Sequence, residues 1–274
     1  MCIAAGVSKS GYYHWIKQRG QKSKDHDDHL VVKEIFDKGK GKWGWRQVQM
    51  NLKTLKNITM NHKKVKRIKN KYGLTTKIRR KNPYKAMMRA TKEHRTFPNI
   101  LNRQFTQLIP FKVFCTDITY LFFSHRLAYF SVIKDIASGE IVAWSLSMHI
   151  DMSLVLETVN NMKSNVNIPS LKDVLIHSDQ GFHYTNPGYI GSIKELDMTQ
   201  SMSRKGNCID NSPIESFFGH FKDEVDYKLC KTFEELLTMV KEYITYYNTQ
   251  RQQWELKKMT PVAYRNHLLL APTQ

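Results

Sequence analysis

The sequence predicts an α/β protein: a mixed β-sheet with helices on both faces, preceded by a small basic helical module. Three observations carry this. The 274 residues suffice for one large domain or two ordinary ones, with room for a core of real size. Charge divides them unevenly: residues 1–110 hold 27 Lys or Arg against 6 Asp or Glu, whereas residues 111–274 hold 16 against 18. From Phe111 onward, β-rich stretches and helical periodicity alternate in the order β-β-β-α-β-α-β-α. Hairpins give antiparallel pairing and helical crossovers parallel pairing, so a mixed sheet covered on both faces is the natural solution.

The first residues, "MCIAAGVSKSGYYHW", read as the tail of one helix, a turn at Gly6, and a second helix begun near Ser8 or Ser10. That is a helix-turn-helix spelling whose leading part is missing. "GKWGWRQVQMNLK" (41–53) predicts a short helix after a Gly-rich turn, with Trp43 and Trp45 as core aromatics. "NHKKVKRIKNKYGL" predicts another: Asn61 caps it, Val65, Ile68 and Tyr72 line one face, and Gly73 stops it. Residues 61–81 hold ten Lys or Arg and no acid. A one-sign block of this kind needs a counter-charge, and nucleic acid supplies one. Residues 77–110, rich in charge with Pro83, Pro98 and Pro110 and poor in periodicity, read as a basic linker.

"FKVFCTDITYLFF" is β-branched and aromatic, and "RLAYFSVIKDIASGEIVAWSLSM" gives two further strands joined at Ser138-Gly139. "DMSLVLETVNNMKS" has helical spacing at Val155, Val159 and Met162. "LKDVLIHSD" is a short buried strand, "NPGYIGSIKELD" a helix, "MTQSMS" a strand, and "SPIESFFGHFKDE" a helix with an apolar stripe of Ile214, Phe217, Phe218, Phe221 and Val225. A last helix, "TFEELLTMVKEYITYYNTQR", sets Leu236, Val240, Tyr243 and Tyr247 along one side for packing.

Composition excludes several classes. Cys2, Cys115, Cys208 and Cys230 form no CxxC, which argues against a zinc knuckle or disulfide framework and fits a reducing compartment. No run of about 18 apolar residues and no signal-peptide pattern are present, so a soluble intracellular protein is expected.

Three carboxylates stand out. Asp117 lies inside a strand and shares a face with Val113 and Cys115. Asp179 ends a buried strand just before the Gly181 turn, where a cap or turn role is the plainer reading. Glu215 follows Ser212 by three residues with Pro213 between, the spelling of a capping box at a helix start. Buried carboxylates are costly unless cations neutralise them, and two-metal phosphoryl-transfer sites hold their ions with such a cluster.

The motifs "CTDITY", "IHSDQGFHY" and "MSRKGNCIDNSPIESFFGHFKDE", with 35 residues between Asp179 and Glu215, carry a resemblance. So do "YNTQRQQWELKKMTPVAYR" near the C-terminus and "SKSGYYHW" near the N-terminus. The chain resembles the DDE transposases of bacterial insertion sequences. Within them it is similar to the group that is related to retroviral integrases and encoded in two overlapping frames, as a second-frame product. Phe114 stands where that family usually has Trp, and His183 where Gln is more familiar.

The resemblance implies an RNase H-like integrase catalytic core with a five-stranded sheet at 111–226. Around it would lie a DNA-binding module at 1–76, the linker at 77–110 and a C-terminal helical extension at 227–274. Asp117, Asp179 and Glu215 would be catalytic and would hold two Mg²⁺ ions, with Mn²⁺ able to substitute, for cleavage at the element's ends and joining of the freed 3′-hydroxyl. His177 and Asn211 would flank and orient the acids. Lys222 and Lys205 beside the site, and Lys63, Lys64, Arg67, Lys71, Arg79 and Arg80 in front, would meet DNA. Expected partners are element-end and target DNA, further copies of the chain on that DNA, and an upstream-frame product joined by frameshifting that completes the helix-turn-helix. A bacterial cytoplasmic, nucleoid-associated location away from membranes follows. Two alternatives share parts of this pattern. A nuclease of the same fold would need no basic front half, and a non-catalytic DNA-binding regulator would tolerate loss of the acids.

Overall fold

The computed structural model describes residues 6, 8–18, 25–77 and 96–270. The chain divides into two compact units, Met1–Lys77 and Ile78–Gln274.

The first unit contains α1 (Lys9–Gln18), α2 (His26–Lys38), α3 (Trp45–Lys56) and α4 (His62–Lys71). Helix α2 was not foreseen from the sequence. Asp27 and Asp28 in its first turn and Lys38 in its last complement the helix dipole, and Val32, Ile35 and Phe36 form its buried stripe. Helix α4 starts as expected, with the Asn61 side chain accepting the Lys63 N–H at 2.8 Å. Val65 and Ile68 are buried with Val48 and Leu52 of α3, while Trp43 and Trp45 pack partly buried against the same cluster.

Acids of the first unit supply part of the counter-charge that the sequence reading assigned to nucleic acid. Arg67 donates to Asp25 at 2.6 Å, Lys71 lies 3.7 Å from Asp25, and Lys64 lies 2.5 Å from Asp28. Lys63 is exposed. Arg79 and Arg80 lie outside the described residues.

The second unit is built on a five-stranded sheet of order β3-β2-β1-β4-β5. Its strands are β1 (Val113–Phe123), β2 (Arg126–Asp135), β3 (Ile141–Ser147), β4 (Leu175–Ser178) and β5 (Thr199–Met202). β1/β2 and β2/β3 are antiparallel, and β1/β4 and β4/β5 are parallel, giving the mixed sheet expected. The β2–β3 connection turns at Gly139, whose φ of +74° favours glycine. Helices α5 (Met152–Lys163), α6 (Phe182–Thr185) and α7 (Pro187–Glu195) follow in sequence around β4 and β5. α5 and α7 supply Val155, Val159, Met162, Tyr189 and Ile193 to the core with Phe114, Ile133 and Ile176.

The other face is covered by α8 (Ser212–Glu224) and α9 (Phe233–Thr249); α10 (Pro261–Leu270) packs on α9. The stripe predicted on α8 meets the sheet: Ile214, Phe217, Phe218 and Phe221 are buried with Cys115, Leu121, Phe130 and Val132, and Val225 packs against them. Phe130 is the centre of this packing, with its ring centroid 5.3 Å from that of Phe221 and 5.9 Å from that of Phe218. Tyr243 and Tyr247 of α9 close the layer.

Part of the stretch read as linker belongs to this unit. Leu101 is buried in the α8 layer, and Phe97 packs on the opposite core. Low periodicity hid this, because the segment is held by side-chain hydrogen bonds rather than by a repeating apolar face.

Candidate active site

The β1/β4 register places the first two acids. Cys115 pairs with His177 in parallel, and Asp117 within β1 and Asp179 just past the end of β4 each stand two residues further on. Strand alternation puts Asp117 on the face of Cys115 and Leu121, the face that α8 covers. Both acids are half-buried. Asp117 Oδ1 accepts the Ile118 N–H at 2.8 Å, and Asp179 Oδ1 accepts the Gly181 N–H at 2.8 Å. Burial pushes the Asp179 carboxyl above its ordinary range, partly offset by the Gly181 N–H and by the charge of nearby His183. Tyr184, buried behind the pair, has its phenol pushed well up by burial and by the negative charge of Asp117 and Asp179 together.

Glu215 lies in the first turn of α8 and is exposed. The capping box is not formed. Ser212 is already helical (φ −56°, ψ −32°), Asn211 occupies the N-cap, and no side-chain cap hydrogen bond is made there. A 3₁₀ turn over Cys208–Asn211 runs straight into α8 and sets the helix start one residue ahead of the predicted Ser cap. The Asn211 amide instead donates to the Thr116 carbonyl at 3.4 Å, next to Asp117, and Lys134 Nζ donates to the Pro213 carbonyl at 3.0 Å. These two links moor the start of α8 to the sheet. They do not gather Glu215 with the other two acids: among the described residues, no group of three or more His, Cys, Asp or Glu could hold a metal ion. The Asp117–Asp179 pair is an all-oxygen donor set of the kind that suits a hard divalent cation.

Lys222 lies against β1, donating to Thr119 Oγ1, with its ammonium 4.9 Å from the Tyr120 ring centroid. Lys205 is exposed on the loop after β5. His177 is fully buried, and its Nδ1 lies 2.9 Å from Ser201 Oγ. That hydroxyl also accepts the Ile100 and Leu101 N–H groups, at 3.0 and 3.2 Å. Burial brings the His177 pKa down to about 4. Thus Ser201 fastens the 100–101 segment to the sheet, and His177 bonds to its hydroxyl.

The sequence reading missed Asp210. It is fully buried and receives hydrogen bonds from Asn99, Arg103 and Arg204. These donors draw its carboxyl far below the usual range, the Arg204 side chain most strongly. Arg103 lies 107 residues away, so only "RKGNCID", with Arg204 six residues before the acid, carried a local signal.

Comparison with known proteins agrees with this architecture. Two family models, both described as integrase core domain, match residues 107–208 and 215–269, and an HTH-like domain model matches residues 22–82. InsK of insertion sequence element IS150 from Escherichia coli (strain K12) is 34% identical, over 96% of this chain and 91% of its own length. An uncharacterized transposase-like protein of Haemophilus influenzae is 37% identical, over 80% of this chain and all of its own length. Among solved structures, the intasome of simian T-cell lymphotropic virus in complex with the PP2A regulatory subunit B56 gamma gives a TM-score of 0.50 at 14% identity. That match covers 82% of this chain and 77% of the other and shares the fold. With both stretches of its integrase core matched and a relative aligned along nearly its whole length, the chain belongs to the insertion-sequence transposases and functions in DNA transposition.

Proposed function

We propose that the chain is a DDE-type polynucleotidyl transferase that cleaves DNA at the ends of its insertion sequence and joins the freed 3′-hydroxyl to target DNA. The observation that carries this is the placement of Asp117 in β1 and of Asp179 just past the end of the neighbouring parallel β4, each two residues beyond the paired Cys115 and His177. In cleavage, a water oxygen attacks the phosphorus, the bond to the 3′ oxygen breaks, and a 3′-hydroxyl and a 5′-phosphate result. In joining, that 3′-hydroxyl attacks a target phosphodiester and a target 3′-hydroxyl leaves.

Asp117 and Asp179 would hold Mg²⁺, or Mn²⁺ in its place, and Glu215, which stands apart from them here, would have to move in from the first turn of α8 to complete a two-ion site. The bound ions would neutralise phosphoryl charge and favour both the attacking and leaving oxygens. The protein's own part is positional. The Asn211 link to Thr116 holds the helix that carries Glu215 against the strand that carries Asp117, and the Lys134 link to Pro213 holds it to the neighbouring β2. Lys222 and Lys205 offer positive charge to the DNA backbone beside the acids. Assembly of several copies on DNA, and completion of end recognition by an upstream-frame product, belong to the same reading.

The test uses a labelled element end with Mg²⁺ or Mn²⁺. Asp117→Asn, Asp179→Asn and Glu215→Gln should each abolish cleavage and joining and leave DNA binding nearly unchanged. Full activity in any of them removes that residue from the mechanism. Cleavage without joining in the unaltered chain would favour a nuclease, and binding alone a regulator.

A further inference from the structure

We infer that Arg103 and Arg204, held side by side by the buried carboxylate of Asp210, form a clamp for a DNA backbone phosphate beside the Asp117–Asp179 pair. Arg103 Nε donates to Asp210 Oδ1 at 2.7 Å. Arg204 donates from Nε to Oδ2 and from Nη2 to Oδ1, both at 2.9 Å, and its backbone N–H donates to Oδ2 at 3.0 Å. Asn99 adds a fifth bond to Oδ2 at 3.0 Å. A carboxylate has about four lone-pair directions, so Asp210 is saturated and cannot take up anything more.

The two guanidiniums are not saturated. Each has five N–H donors, of which Arg204 spends two on Asp210 and Arg103 one. Asp210 is fully buried, whereas the Arg204 and Arg103 side chains are 53% and 40% exposed. One edge of each guanidinium is therefore fixed inward, and other donors remain for a ligand at the surface. One carboxylate also cannot cancel two cations, and the trio keeps a net charge of +1. Planar forks locked on one side suit a tetrahedral oxyanion, because little further side-chain order is lost when it binds.

The clamp's place in the fold selects the ligand. Arg204 follows Ser203, whose N–H donates to the Ser178 carbonyl at 2.9 Å and whose own carbonyl accepts from Gln180 Nε2 at 3.0 Å. Asp179 lies between those two residues. Asp210 precedes Asn211, which reaches the carbonyl before Asp117. Short covalent and hydrogen-bonded paths thus connect the clamp to both acids, on the β5 side of the site. A strand with its scissile phosphate at the acids would set a neighbouring phosphate there.

This rests on the strand-transfer reading, and its test is separable from that reading. The full chain is titrated in EDTA, where neither cleavage nor joining proceeds, with duplexes carrying the terminal sequence of its own insertion sequence. Neutral methylphosphonates are placed one at a time around the cleavage position. For the unaltered chain, one phosphate flanking that position should show a loss of affinity when neutralised. Arg103→Gln keeps the two-bond Arg204–Asp210 pair and so preserves the fold. It should lower the salt-dependence slope by about 0.9, the value of one phosphate contact, and should no longer respond to that methylphosphonate. If no flanking phosphate matters to the unaltered chain, or if Arg103→Gln keeps both the slope and the sensitivity, the clamp is overturned. Products formed in Mg²⁺ are scored separately, so loss of the clamp and loss of the catalytic reading give different results.

Discussion

Asp179 is a carboxylate kept in a place that disfavours its charge. Its pKa is raised by burial, and the Gly181 N–H and the His183 charge offset only part of that. Below the ordinary carboxylate value of 3.8, folded and unfolded chains are both protonated at this position. As pH rises above it, the unfolded chain ionises freely while the folded chain resists, so this group costs stability progressively up to its raised folded pKa. A bound cation would remove that cost, which is why a metal-free site should be the unstable form. Asp179→Asn should therefore melt higher than the unaltered chain at neutral pH in EDTA. The difference should vanish below pH 3.8. Thermal melts across pH decide it, and a lower melting temperature for the variant at neutral pH would make Asp179 a structural turn residue.

At the scale of elements, the strands and the α8 stripe were legible because one period fixes one face: Val113, Cys115 and Leu121 alternate, and Ile214, Phe217, Phe218 and Phe221 recur at helical spacing. The positions of Asp117 and Asp179 followed from strand alternation and the turn at Gly181. What stayed hidden depends on partners far along the chain. Helix α2 has its stripe at Val32, Ile35 and Phe36 but is crowded with charges whose partners lie on α4. Asp210 is silent until Arg103 is brought to it. Ser212 spells a cap that the preceding 3₁₀ turn displaces. The C-terminal motif is a further case, because its Arg251 is only 6% exposed and makes a two-pronged ion pair with Glu224 at the end of α8, 27 residues earlier. Tyr243 of α9 adds its hydroxyl to Glu224 at 3.0 Å. This pair locks the far end of the helix whose start carries Glu215. Arg251→Ala should cost about 3–5 kcal/mol, the range for leaving one charge of a buried pair unmatched. Urea unfolding would measure it, and a loss under 1 kcal/mol would mean that α8 is held by its aromatic stripe alone.

At the scale of the whole molecule, the formal charge of +19 overstates what is available to a polyanion, because acids are interleaved with the bases in space. In the first unit, Asp25, Asp28 and Glu34 of the α2 region meet Arg67, Lys71, Lys64 and Lys56. Exposed pairs of this kind contribute little stability, but the acid remains in place when its partner turns to DNA and repels the phosphate. The face of α4 that looks toward α2 is thereby screened. Lys63 and Lys66 lie one helical turn apart on a different side of α4, and both are exposed. Lys66 sits 4.3 Å from the Trp45 ring centroid, with Arg46 at 4.9 Å from the same ring, so the aromatic orients two cations there. The Lys63–Lys66 side is accordingly the one expected to meet DNA. Replacing Lys63 and Lys66 by Ala should flatten the salt dependence of duplex binding by nearly two units of log–log slope, at about 0.9 per phosphate contact. Replacing Lys64 and Arg67 should change it by less than one. Fluorescence anisotropy titrations over a range of salt concentrations give both slopes, and the opposite order would return α4's paired face to the DNA.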